Sequence, residues 1–142
     1  MSVSEYLSPL LGRWLLAWFL LAQVVHYGGD WDGTITLMTF QGIPMAPLVL
    51  ILALTVLILG SLSLIFGFHT RHGAMMLFGA TIVSTLLMND FWKIGNNGAV
   101  RLADFEIFAR NIAIAGGFLL LVGMGPGPLA LDNRMDGKKK KR

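Results

Sequence analysis

The chain has 142 residues, 55% of them hydrophobic and 13% charged, with a mean hydropathy of +0.68 and a formal charge of +3. Soluble domains carry about 25% charged residues, and a water-soluble chain this short cannot bury so much apolar surface, so lipid covers part of it. Cysteine is absent, which excludes disulfides, zinc–thiolate and iron–sulfur centres, thiol redox chemistry and c-type haem attachment.

A helix needs roughly 20 mostly apolar residues to cross about 30 Å of hydrocarbon, with a lower limit near 17. Four segments meet that requirement, which predicts an all-α integral membrane four-helix bundle forming one domain over residues 1–132. The first span, 10–27, holds Trp14, Trp18 and Phe19 with Arg13 at its start, and Gly28-Gly29-Asp30-Trp31-Asp32-Gly33 is expected to break it. Glu5 in the leading segment, and the lack of an A-x-A-like site after the apolar stretch, predict that this span is retained rather than cleaved as a signal peptide. The second span, 45–68, contains no charge and is opened by Pro44 and Pro47, where a missing N–H does little harm. Gly67–Gly73 reads as a short hairpin turn into the third span, 74–91. Gly95-Asn96-Asn97-Gly98 separates that span from the fourth, 103–124, which carries Asp104, Glu106 and Arg110. Gly125-Pro126-Gly127-Pro128 ends the fourth span, and residues 133–142 read as a basic tail.

Orientation follows from Lys and Arg in the short loops. With four spans, the N-terminus, the middle loop and the tail share one side. That side holds eight basic residues, Arg13, Arg71, Arg134, Lys138–Lys141 and Arg142, against Lys93, Arg101 and Arg110 on the other. Both termini are therefore expected in the cytoplasm, with the tail deciding the count. The same Lys138–Arg142 run is the expected partner of anionic lipid rather than of nucleic acid. It also satisfies a dilysine retrieval pattern, which keeps a eukaryotic endoplasmic reticulum alternative open beside the bacterial inner membrane.

Small residues let helices approach closely in lipid. Ala109, Ala113 and Gly117 on the fourth span, and Gly60 and Gly67 on the second, form such stripes, expected to serve packing within the bundle before any partner. Tyr6, Trp14, Tyr27, Trp31 and Trp92 lie near the expected span ends and read as interfacial anchors. Polar residues gather on the expected outer side, Asp32, Asn89, Lys93 and Asn111 among them. The candidate ligand pocket comprises His26, Asp30, Asp90, Trp92, Arg101, Asp104, Glu106 and Arg110, since ionisable groups at membrane depth face a bundle interior or a wet cavity. Two readings compete. Glu106 and Arg110, one turn apart in the order that favours pairing, form a neutralised lock; or the cluster receives a quinone head group or a small anion, with His26 and Asp90 closing its far side.

No catalytic constellation, phosphate loop or dinucleotide fingerprint is present. A bis-histidine haem is disfavoured because His26 lies on one side and His69 and His72 on the other; the latter pair, without carboxylate or thiolate partners, is a weak metal signal. No metal site is expected, and the chain supplies no cofactor ligands of its own, which leaves quinone or lipid as the candidate bound molecules.

Three motifs carry a family resemblance over residues 10–132: Gly12-Arg13, Gly67-Phe68-His69-Thr70-Arg71, and Gly125-Pro126-Gly127-Pro128-Leu129-Ala130-Leu131-Asp132. In order and spacing the chain resembles the DoxX family of small four-helix membrane proteins. That resemblance implies a link to membrane redox complexes, with other membrane-protein subunits as partners. It departs at His26, where relatives often carry Lys, and at Val56 and Leu57, where many place an acid. The expectation is a non-catalytic, accessory subunit of a membrane-bound, quinone-linked oxidoreductase. The alternatives are a quinone-reactive enzyme subunit and, from another class, a small transporter, although no inverted repeat or broken mid-membrane helix is evident.

Overall fold

A computed structural model describes residues 2–139, which contain α1 (Val3–Gly29), α2 (Trp31–Phe40), α3 (Ala46–Phe66), α4 (Thr70–Met88), a 3-10 turn (Phe91–Lys93), α5 (Gly98–Met124) and α6 (Leu131–Lys139). Four of these, α1, α3, α4 with its 3-10 extension, and α5, are long and apolar enough to cross a membrane. Helix is the form expected there, because hydrocarbon offers no partner for a free N–H or C=O. The spans pack in chain order, α1 on α3, α3 on α4 and α4 on α5. Their common core is Ala17, Leu20, Leu64, Ala74, Leu77 and Phe118.

Several expected boundaries move. α1 begins at Val3, where Ser2 and Glu5 form a capping box with the Ser2 N–H donating to Glu5 Oε2 at 2.9 Å. It runs on through Gly28 and Gly29, so the expected glycine break shrinks to the single residue Asp30. Beyond Asp30 the chain turns straight into α2 instead of a loop. The Asp30 carboxylate accepts from the Gly33 N–H at 3.3 Å, and a Cβ at Gly33 would run into that carboxylate. Thr34, Thr36 and Thr39 return their hydroxyls to carbonyls one turn back, which satisfies them inside the helix. With 10 residues, α2 reaches about 15 Å, too short to span. Met38 packs with Ala46 and Leu50, while Leu37 and Phe40 stay exposed. α2 therefore folds across one end of the bundle.

α4 likewise starts at Thr70, inside the expected hairpin, and α5 at Gly98, with the Asn97 side chain accepting from Val100 N–H at 3.4 Å. α6 takes in residues 133–139 of the expected tail, and Lys140–Arg142 lie outside the described residues.

The small-residue stripes divide. At Gly60 a Cβ would fall inside the Leu77 side chain, so its absence sets how closely α3 approaches α4, and Gly73 performs the same service against Ser63. Gly67 belongs instead to the turn, at φ +67°. On α5, Gly117 meets Leu16 of α1, but Ala109 and Ala113 are exposed and take no part in packing within the bundle. The reason is register. The buried positions of α5 are Ala115 and Phe118, and the Ala109–Ala113 line is rotated away from them.

Candidate functional site

The chain's three signature motifs, separated by more than fifty residues each in sequence, meet at one end of the bundle. Asp132, at the start of α6, accepts from the backbone N–H groups of His69 at 2.7 Å and Thr70 at 2.9 Å. It caps α4 from 62 residues away, and its own N–H donates to the Gly67 carbonyl at 3.0 Å. Gly127, at φ +85°, lies so close to Pro9 of α1 that a Cβ there would strike the proline ring. The guanidinium of Arg71 stands 3.3 Å from where a Gly125 Cβ would be. Under this knot lies Arg13, only 1% exposed, with its Nη1 against Gly67 and Ala130. Its Nε and Nη1 make no hydrogen bond, and the opposite charge that acts on it is Asp132. In the sequence Arg13 reads as a loop charge at a helix start. It is a buried cation because the helix begins ten residues earlier, which carries position 13 inward.

The eight residues expected to form a pocket lie toward the opposite end and do not converge. His26 is exposed beside the Tyr27 ring, with centroids 5.2 Å apart. Asp30 caps α2. Asp90, 8% exposed, pairs with Lys93 at 3.1 Å. Trp92 stands edge-on to Phe91 and Phe108. Arg101 borders an open hollow with Phe91 and Phe105. Asp104 accepts from Asn89 Nδ2 at 3.0 Å, tying α5 to the end of α4. Glu106 is exposed, and Arg110 lies over the Phe19 ring of α1 at 5.7 Å rather than within ion-pair distance of Glu106. Asp104 and Arg110 are six residues apart, or roughly 240° around the helix, so one addresses α4 while the other addresses α1.

What the structure gathers instead is a cavity of about 140 Å³ among α1, α2, α3, α4 and α5. Two of the long helices contribute a stripe at helical spacing: Leu50, Leu54 and Leu57 from α3, and Thr81, Ser84 and Met88 from α4. Met38 of α2 closes one side, and Tyr27, Asn89 and Asn111 add polar groups. Asn111 lies 13 residues into α5, about 20 Å from its start, at hydrocarbon depth. None of the eight expected residues lines this cavity. Tyr27 reads in sequence as an anchor, and Thr81 and Ser84 carry no signal beyond their one-turn spacing inside an apolar run. Among the described residues no cluster of His, Asp or Glu is arranged to hold a metal ion.

Comparison with known proteins corrects the resemblance. A SURF4 family model matches residues 12–141. The chain belongs to the SURF4 family. It is similar to inner membrane protein YphA of Escherichia coli (strain K12), 32% identical over 72% of each chain, and to inner membrane protein YqjF of the same organism, 34% identical over 75% of each. It is also similar to the Surfeit locus protein 4 homolog of Schizosaccharomyces pombe, 29% identical over 88% of this chain and 36% of that relative. No solved structure matches. The DoxX assignment is therefore replaced. Its motifs are glycine, proline and capping residues, which state how helix ends are closed and carry little information that separates one family of four-span proteins from another. Together with the four spans, these relatives make the SURF4-family chain a multi-pass inner-membrane protein.

Proposed function

We propose that this chain is a non-catalytic subunit of a membrane assembly, joined to a partner's transmembrane helix through α5. The carrying observation is the open face of α5. It is the least covered of the four spans, with only Ala115 and Phe118 buried against five residues of α4. Ala109, Ala113 and Gly116 recur there at helical spacing, all exposed, and a Cβ at Gly116 would meet nothing within 4 Å. In lipid, where apolar area alone drives no association, such a surface lets a second backbone approach. Asp30 is committed to a helix cap, Asp90 to an ion pair, Asp104 to a hydrogen bond and Arg110 to an aromatic contact, which favours a supporting role over a chemical one.

The assembly we propose is an oxidoreductase served by a lipid-soluble quinone-class carrier, supported by the largely apolar cavity between the spans. Its orientation places the knotted end, with Arg71 and Arg134, in the cytoplasm by the positive-inside rule. The test is purification in a gentle detergent. The wild-type chain is expected to bring a second membrane protein with it. Ala109→Leu combined with Gly116→Leu is expected to lose that chain while keeping the thermal transition of the bundle. A wild-type chain that purifies alone and turns over a substrate unaided refutes the proposal.

A further inference from the structure

We infer that the interhelical cavity is a binding site for a single uncharged six-membered ring bearing a hydrogen-bonding oxygen. This deepens the small-molecule part of the proposed function and stands whether or not α5 meets a partner. Size sets the first limit. At about 140 Å³ the cavity is close to the roughly 150 Å³ of an apolar protein cavity that holds benzene. The walls from α3, Leu50, Leu54 and Leu57, are aliphatic, which excludes a charged ligand on desolvation grounds.

Polarity sets the second limit. The Thr34 hydroxyl is spent on the Tyr27 and Asp30 carbonyls, and the Ser84 hydroxyl donates to the Thr81 carbonyl. Neither the Tyr27 hydroxyl nor the Asn111 amide makes a hydrogen bond to another described residue, yet both border the cavity. Asn89 donates one N–H to Asp104, and its side-chain oxygen, which makes no hydrogen bond to another described residue, is an acceptor on the same cavity. An amide at hydrocarbon depth without a partner is costly. A hydroxyl or carbonyl oxygen on a ring meets that demand, because Tyr27 and Asn111 can each donate and Asn89 can accept. The site thus joins an apolar slot for the ring to a polar edge from three helices, the arrangement of small-molecule pockets in general.

The experiment uses the full chain in lipid nanodiscs, with 4-fluorophenol as the probe and fluorobenzene as its counterpart lacking the oxygen, both followed by fluorine NMR. 4-Fluorophenol is expected to give a saturable bound signal, and fluorobenzene to bind about 10-fold more weakly, the loss of one hydrogen bond to a buried group. Ala80→Leu, which adds side chain at the cavity wall, is expected to abolish the bound signal. Tyr27→Phe and Asn111→Leu are expected to erase the preference between the probes while preserving the thermal transition. If Ala80→Leu fails to fold, the Tyr27→Phe comparison still decides. Equal affinity for the two probes in the wild-type chain, or no saturable signal from either, overturns the inference. Because no partner chain is in the sample, neither result touches the co-purification test.

Discussion

Asp132 is where a single side chain does the most for this protein. Its carboxylate satisfies two N–H groups at the start of α4, at the end of the bundle where Arg13 is buried. Asp132→Ala therefore removes two hydrogen bonds to a charged acceptor, an expected cost of about 3 kcal/mol. A detergent-phase thermal or denaturant melt reads it. Arg13→Leu makes the contrasting case. It removes a desolvated charge whose Nε and Nη1 are unsatisfied, and Asp132 keeps its two N–H partners, so it is expected to be neutral or stabilising. Gly67→Ala is expected to be severe for two reasons at one position: φ of +67° and a Cβ directed into Arg13 and Ala130. Gly28→Ala, whose Cβ would make only an ordinary 3.8 Å contact with Leu54, is the control.

At the scale of elements, the spans were legible in the sequence and their ends were not. Hydropathy alone marks α3 and α5, because every residue of a lipid-facing helix reports the same solvent. Ends depend on where four orphan N–H groups find partners. For α4 that partner is residue 132, which no local window can reveal. α2 escaped for a different reason: Gly28, Gly29 and Gly33 read as breakers, whereas two of them sit in a helical last turn and the third makes room for the Asp30 cap. Gly33→Ala is accordingly expected to weaken α2 by about 1 kcal/mol, seen as faster amide exchange confined to residues 31–40. The candidate site failed on register. Depth along α5 was readable, but whether Asp104 and Arg110 share a face is a question of angle, and they do not. Helix contact follows the same logic. Gly60→Val is expected to force α3 from α4 and unfold the bundle, while Gly116→Val, on the open side, leaves the isolated chain's melt unchanged.

For the whole molecule, the cysteine-free sequence gives a clean background for mapping. Single variants Ser4→Cys and Arg71→Cys are expected to label from one side of the membrane with an impermeant maleimide, and Asp32→Cys and Asn96→Cys from the other. Labelling of Ser4→Cys and Arg71→Cys from opposite faces would contradict the knot that joins Pro9, Gly67 and Gly127.

That the cap of α4 comes from residue 132 also bears on how the chain is made. While a ribosome has delivered only the first three spans, the N–H groups of His69 and Thr70 can turn only to water or headgroups. The α3–α4 turn gains its native partner once the last span has been inserted and its trailing segment has folded back. The order of synthesis thus leaves completion of this end to the C-terminal segment, and a nascent chain halted before residue 132 would leave the hinge between α3 and α4 still unfastened.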